Sequence, residues 1–166
     1  MSVQPTDAKG PTPPAAMNDA QNPVKLAALD AEDLAVISAH VQDAVLKVGD
    51  IQWSPRERRF LVIMNRFVWE KAVSGRRRGS ERRRAVLHFD RVEAVRTSQI
   101  RQDAAETVLA LLAVTFEAGV APSGAIVLTF SGGAAIRLDV ECIEAQLTDL
   151  GAAWVTHARP KHNLKV

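Results

Sequence analysis

Residues 125–140, AIVLTFSGGAAIRLDV, decide the reading of this chain. Ile126, Leu128 and Phe130 alternate up to Ser131-Gly132-Gly133, and Ile136, Leu138 and Val140 alternate away from it. Apolar residues at every second position line one face of a strand, and glycines in a short loop supply the positive φ that hairpin turns need. An antiparallel hairpin with one buried face therefore anchors the fold. Upstream, Val108 to Phe116 reads as a buried strand, ended by EAGVAPSG. Further back, Phe60 to Trp69 is apolar on both faces, as in a central strand covered on both sides or one wall of a small barrel.

The rest follows from these strands. Leu34, Ile37, Val41, Ala44 and Val45 recur at helical spacing behind Asp30, a good N-cap, and Gly49-Asp50 ends that run before a short extended piece through Trp53. SPRERR, residues 54–59, reads as a turn. Residues 71–84, KAVSGRRRGSERRR, lack any apolar period and read as an exposed loop. Alternation resumes at Ala85 and continues toward Thr97, and Gln99 to Glu106 connects. Residues 141–150, ECIEAQLTDL, fit a helix with Ile143, Leu147 and Leu150 inward and Gly151 as its stop. The expected fold is α+β: a curved antiparallel sheet or open barrel of about six or seven strands with a helix near each end. This order of strands followed by a helix is similar to that of pleckstrin-homology-like domains, although the long N-terminal helix departs from them.

The chain has 166 residues, 47% hydrophobic and 24% charged, which suits one globular domain. Residues 1–23 hold five of the eight prolines and almost no large apolar side chains, so they read as a disordered tail, with Met17 an alternative start of translation to Met1. The domain spans 24–155, and 156–166 is a C-terminal tail. No apolar run suits a transmembrane helix, no secretory signal is visible, and a single cysteine excludes an intrachain disulfide. A cytoplasmic protein without membrane contact is the expectation; oligomeric state is left open.

The net charge of +2 conceals a segregation. Residues 56–101 carry fourteen basic and five acidic residues, or +9, and the remainder of the chain carries −7. Thirteen of the fourteen are arginine, whose planar fork suits carboxylate and phosphate. Arg56, Arg58 and Arg59 lie on the turn, and Arg76, Arg77, Arg78, Arg82, Arg83 and Arg84 on the loop. Brought together, these nine would form one anion- or partner-binding patch for an acidic protein, another polyanion or nucleic acid. With no aromatic residue in the loop and no tyrosine in the chain, any nucleic-acid binding would be electrostatic and tolerant of sequence.

Catalytic and metal patterns are sparse. His40 and Asp43 share a helical face but lack a third ligand, and His157 and His162 lie in the tail. Cys142 sits between Glu141 and Glu144, acidic neighbours that argue against a reactive thiolate, and reads as a buried structural cysteine. His88 beside Asp90 is the one arrangement resembling a base with its orienting carboxylate. There is no G-x-S-x-G, Walker loop, H-E-x-x-H or C-x-x-C, so neither an enzyme nor a cofactor has positive support. A non-enzymatic binding or adaptor module acting through the arginine-rich loop is the leading expectation; an electrostatic nucleic-acid binder is second, and an enzyme using His88 third.

LAALDAEDLAVISAHVQDAVLKVGDI (26–51), PRERRFLVIMNRFVWE (55–70), RRRAVLHFDRV (82–92) and LTFSGGAAIRLDVECIEAQLTDLG (128–151) together resemble a family known as domain of unknown function 2948. The resemblance covers roughly residues 24–160 and includes Arg82–Arg84 but not Arg76–Arg78. It implies a small cytoplasmic bacterial protein and carries no activity, ligand or site residue with it.

Overall fold

A computed structural model describes residues 23–69 and 80–156, of which 80 and 152–156 are described by their backbone only. In chain order the elements are β1 (Lys25–Ala28), α1 (Ala31–Val41), β2 (Val45–Lys47), β3 (Ile51–Ser54), β4 (Arg59–Phe67), β5 (Ser80–Phe89), β6 (Val92–Ser98), β7 (Val108–Ala118), β8 (Gly124–Phe130), β9 (Ala135–Val140) and β10 (Ala145–Thr156). The ten strands form one antiparallel sheet in the order β1-β10-β5-β4-β2-β7-β8-β9-β6, with β3 paired to β4. The sheet is not closed: β1 and β6 are its ends.

Both halves of this sheet feed one core. Phe60, Val62 and Met64 of β4 point the same way as Phe89, Leu87 and Ala85 of β5, their register partners, and all six are buried. Phe130, Leu128 and Ile126 of β8 join them in a single cluster with Ile136, Leu138 and Val140 of β9. Side chains from both ends of a sheet can share one cluster only if the sheet bends over on itself. Helix α1 lies inside the same cluster through Leu34, Ile37 and Val41. Its start is fixed by Asp30, whose carboxylate accepts from Asp33 N–H at 2.8 Å.

The hairpin that opened the sequence reading is β8–β9, with Gly132 at φ 78° and Gly133 at φ 88° in the turn. Gly124, at the head of β8, has a different role. A Cβ there would lie 2.4 Å from the Glu117 carbonyl oxygen and 2.5 Å from the Phe116 ring.

Several expectations need correction. Residues 145–150 are strand, within β10, and not helix, so the chain has one described helix and the second cap expected of a pleckstrin-homology-like order is absent from 141–150. Ala145, Leu147 and Asp149 point into the core while Leu150 is 42% exposed. A carboxylate in the inward row disguised the period of two. Helix α1 stops at Val41, because Asp43 takes φ 61° and gives its N–H to Leu111 C=O, turning Val45 into β2. Residues 80–84 belong to strand β5, whereas the sequence reading placed them in the exposed loop. With β1, β2 and β10 added, the strands number ten and not six or seven. Residues 1–22, 70–79 and 157–166, with the tail expectations, His157 and His162, lie outside the described residues.

Candidate binding site at the open end of the central strands

Folding separates the nine arginines singled out in the sequence. Arg58 and Arg59 precede and begin β4, whereas Arg82–Arg84 pair with its last residues through the registers Phe67↔Arg82, Arg66↔Arg83 and Asn65↔Arg84. Seven strand residues separate Arg59 from Arg66, about 24 Å at 3.4 Å each. The two groups therefore stand at opposite ends of strand β4. Arg76, Arg77 and Arg78 lie outside the described residues.

At the first end the charges are matched. Arg58 is hydrogen-bonded to Glu141, Arg59 Nε donates to Asp90 at 2.8 Å, and Arg91 Nε lies 3.3 Å from Glu144. The Asp90 bond pushes the Arg59 guanidinium still further into its charged range. Asp90 is thereby committed to Arg59, and His88 Nε2 sits 3.7 Å from its other oxygen, beyond hydrogen-bond reach. Arg56 is exposed and makes no ion pair. Elsewhere His40 Nδ1 is 2.8 Å from the Val36 carbonyl oxygen of its own helix, and Cys142 is a half-buried free thiol. Among the described residues no group of three His, Cys, Asp or Glu stands close enough to hold a metal ion.

At the second end, alternation splits the Arg82–Arg84 triplet between two faces. Arg83 points inward beside Arg66, and both are buried. Asp149 on β10 faces them, taking Arg66 Nε on Oδ1 and Nη2 on Oδ2, both at 2.7 Å, with Arg83 Nη1 at 3.8 Å from Oδ2. Oδ2 also accepts the Val24 N–H at 2.7 Å, which ties the start of β1 to this group. This cluster was not foreseen. Its trace in the sequence is Asn65-Arg66, a polar interruption of the apolar run from Phe60 to Trp69.

Arg82 and Arg84 take the outward face. Arg82 lies over the Phe67 ring, 3.9 Å from its centroid, and Phe67 in turn stacks at a tilt on Trp69. Burial pushes the Arg82 guanidinium below its ordinary pKa, against the charge of Asp43, and its Nη1 is buried with no hydrogen-bond partner. Arg84 is exposed and has no acid or other partner among the described residues.

Arg84 borders an open cleft of about 160 Å³ lined by Val45, Leu46, Lys47 and Asp50 on one side and by Ile63, Met64 and Asn65 on the other. Lys47 Nζ is held by Glu106 at 2.7 Å, which raises the ammonium pKa and lowers that of the carboxylate. Asp50 is half-buried with no hydrogen bond, and the Asn65 Oδ1 is buried and unmatched. The cleft thus combines one guanidinium without an acid partner, one carboxylate that feels the Lys47 charge but makes no hydrogen bond, and one unmatched amide, with apolar residues between them. Sequence reading named Arg84 but not Lys47, Asp50 or Asn65, which come together only through the register Val45↔Asn65↔Arg84.

Fold and site together define a mostly β domain, one open antiparallel sheet with a helix in its core and a small mixed-charge cleft on its outer face. No helix among the described residues is long and apolar enough to cross a membrane. The chain belongs to the family described as Protein of unknown function (DUF2948), whose model matches residues 24–162. No curated protein and no solved structure matches it.

Proposed function

We propose that this protein is a non-enzymatic binding or adaptor module that engages an acidic protein segment through the end of the sheet carrying Arg82 and Arg84. One observation carries the reading: Arg84, exposed on the outward face of β5, has no acid in ion-pair contact, whereas Arg58, Arg59, Arg66, Arg91, Arg96 and Arg137 each do; its neighbour Arg82, also without an ion pair, is buried over Phe67. An arginine held on a strand and left without a carboxylate is preorganised to accept one. Ile63 and Val86, half-buried in the adjoining outward row, supply apolar contact beside the charge. The Arg76–Arg78 triplet, in the segment joining β4 to β5, adds to the attraction by sequence position alone. The single cysteine fits a reducing cytoplasm.

Fluorescence anisotropy of the full chain tests this with a labelled Asp/Glu-rich peptide, a neutral peptide of equal length, and labelled single- and double-stranded DNA across a salt series. The acidic peptide binds, the neutral one does not, and Arg84→Glu abolishes binding. DNA bound more tightly than the peptide, with a log–log salt slope of about −3 or steeper, would replace this reading with an electrostatic nucleic-acid binder. Binding of neither overturns it as well.

A further inference from the structure

Resting on that reading, we infer that the cleft between β2, β4 and β5 receives a single acidic side chain of the partner together with an adjoining main-chain N–H, and that it discriminates against phosphate.

Size comes first. A volume of about 160 Å³ falls well below the several hundred ordinarily occupied by a nucleotide-sized or drug-sized ligand. It matches roughly five water molecules, which is room for one side chain.

Charge and hydrogen-bonding capacity narrow the class. Arg84 lines the cleft as an exposed guanidinium with no ion pair, a donor fork suited to a carboxylate. Lys47 is already engaged by Glu106, so it adds little net attraction. Against these stand Asp50, an acceptor with no hydrogen bond, and the Asn65 amide, whose oxygen lacks a partner. A phosphate group brings up to two negative charges, so it satisfies Arg84 but meets the Asp50 carboxylate with stronger repulsion than a single carboxylate does. An acidic residue within a peptide brings both kinds of group: its carboxylate pairs with Arg84 while its N–H groups face the Asn65 oxygen and Asp50. A half turn about the Asn65 Cβ–Cγ bond exchanges its oxygen and nitrogen, a soft terminal torsion that lets the amide turn its oxygen to the ligand. The methylenes of the bound side chain then lie against Val45, Ile63 and Val108 on the cleft wall.

The test is an NMR titration of the ¹⁵N-labelled full chain with N-acetyl-glutamate N-methylamide, with acetate and with inorganic phosphate, following the Asn65 side-chain amide and the Arg84 Nε–H. The glutamate compound should move both signals at a concentration roughly tenfold below acetate, the factor expected for one added hydrogen bond to a buried acceptor. Asn65→Leu should bring that ratio close to one. Arg84→Gln, a change at an exposed position, should abolish the response to both carboxylates. Phosphate acting at the same concentration as the glutamate compound, or a glutamate compound that moves neither signal, overturns the inference. If the cleft signals stay still while the acidic peptide still binds and depends on Arg84, the cleft assignment fails and the acidic-partner reading stands. If both assays are negative, the partner reading itself has failed.

Discussion

Asp149→Asn removes the carboxylate that faces two buried guanidiniums. The Arg66 and Asp149 side chains are fully buried, joined by two bonds of 2.7 Å, and Arg83 Nη1 lies 3.8 Å from the same carboxylate. Arg66 and Arg83 are register partners on β4 and β5, so the neutral amide withdraws a carboxylate shared by two like charges in a water-poor setting. Breaking a buried ion pair from one side costs about 3–5 kcal/mol, because the remaining charge keeps its desolvation penalty. Total stability of such a domain is about 5–15 kcal/mol, so the loss is a large share of it. With a urea m-value of about 2 kcal/mol/M, the unfolding midpoint falls by roughly 2 M. Urea titrations at neutral pH, followed by tryptophan fluorescence, read this directly. A midpoint shift for Asp149→Asn equivalent to less than about 1 kcal/mol would refute the argument, because a solvated pair costs no more than that.

Other substitutions probe separate parts of the molecule. Gly124→Ala should destabilise by about 1–3 kcal/mol in thermal unfolding, since its Cβ must displace both the Glu117 carbonyl and the Phe116 ring; an unchanged Tm would mean that the close approach relaxes freely. Asp30→Ala should cost about 1 kcal/mol through the lost N-cap bond, measured by the same urea titration. Arg82→Met should leave the midpoint unchanged or raise it, because burial opposes this charge, while weakening the acidic peptide in the anisotropy assay; a large loss of stability would show the guanidinium to be a structural requirement. For Lys47–Glu106 the lowered Glu106 pKa places its contribution above the ordinary carboxylate range, to be lost as pH falls through the folded value. The raised Lys47 pKa places its contribution below the ordinary ammonium range, to be lost as pH rises through the folded value. Both groups are exposed, so Glu106→Gln should show no resolvable midpoint change between acid and neutral pH at physiological salt.

The fold was legible wherever side-chain chemistry and period agreed. The β8–β9 hairpin, the β7 strand and the Asp30-capped helix all follow from apolar residues at regular spacing with suitable residues at the ends. Reading failed where a polar residue occupied an inward position. Asp149 broke the alternation of β10, so Ile143, Leu147 and Leu150 fitted a helical period better than a strand. Arg83 did the same for β5 and made residues 80–84 look like loop. Both errors have one origin, because each residue meets an opposite charge on another strand, a contact that no local window contains. The cleft was hidden for a related reason: Asp50, Asn65 and Arg84 are distant in sequence and meet only through strand register.

The same long-range pairing changes what the arginine-rich stretch means. Residues 56–101 carry +9 as a sequence, yet the acids between Asp139 and Asp149 are placed against them in space. Arg96 meets Asp139, Arg58 meets Glu141, Arg91 meets Glu144 and Arg66 meets Asp149. Charge segregated along the chain is thus converted into ion pairs across it, and a linear run of arginines ceases to be a surface patch. The arginines that folding leaves without such a partner are the ones a second molecule can still engage. Among the described residues Arg84 is an exposed one of these, with the buried Arg82 beside it, and the cleft that adjoins Arg84 carries acceptors as well as donors. Attraction without acceptors would suit any polyanion. A mixed set of groups in so small a space favours a peptide, which is why the ratio between glutamate compound and phosphate, and not the bare affinity for anions, decides the question.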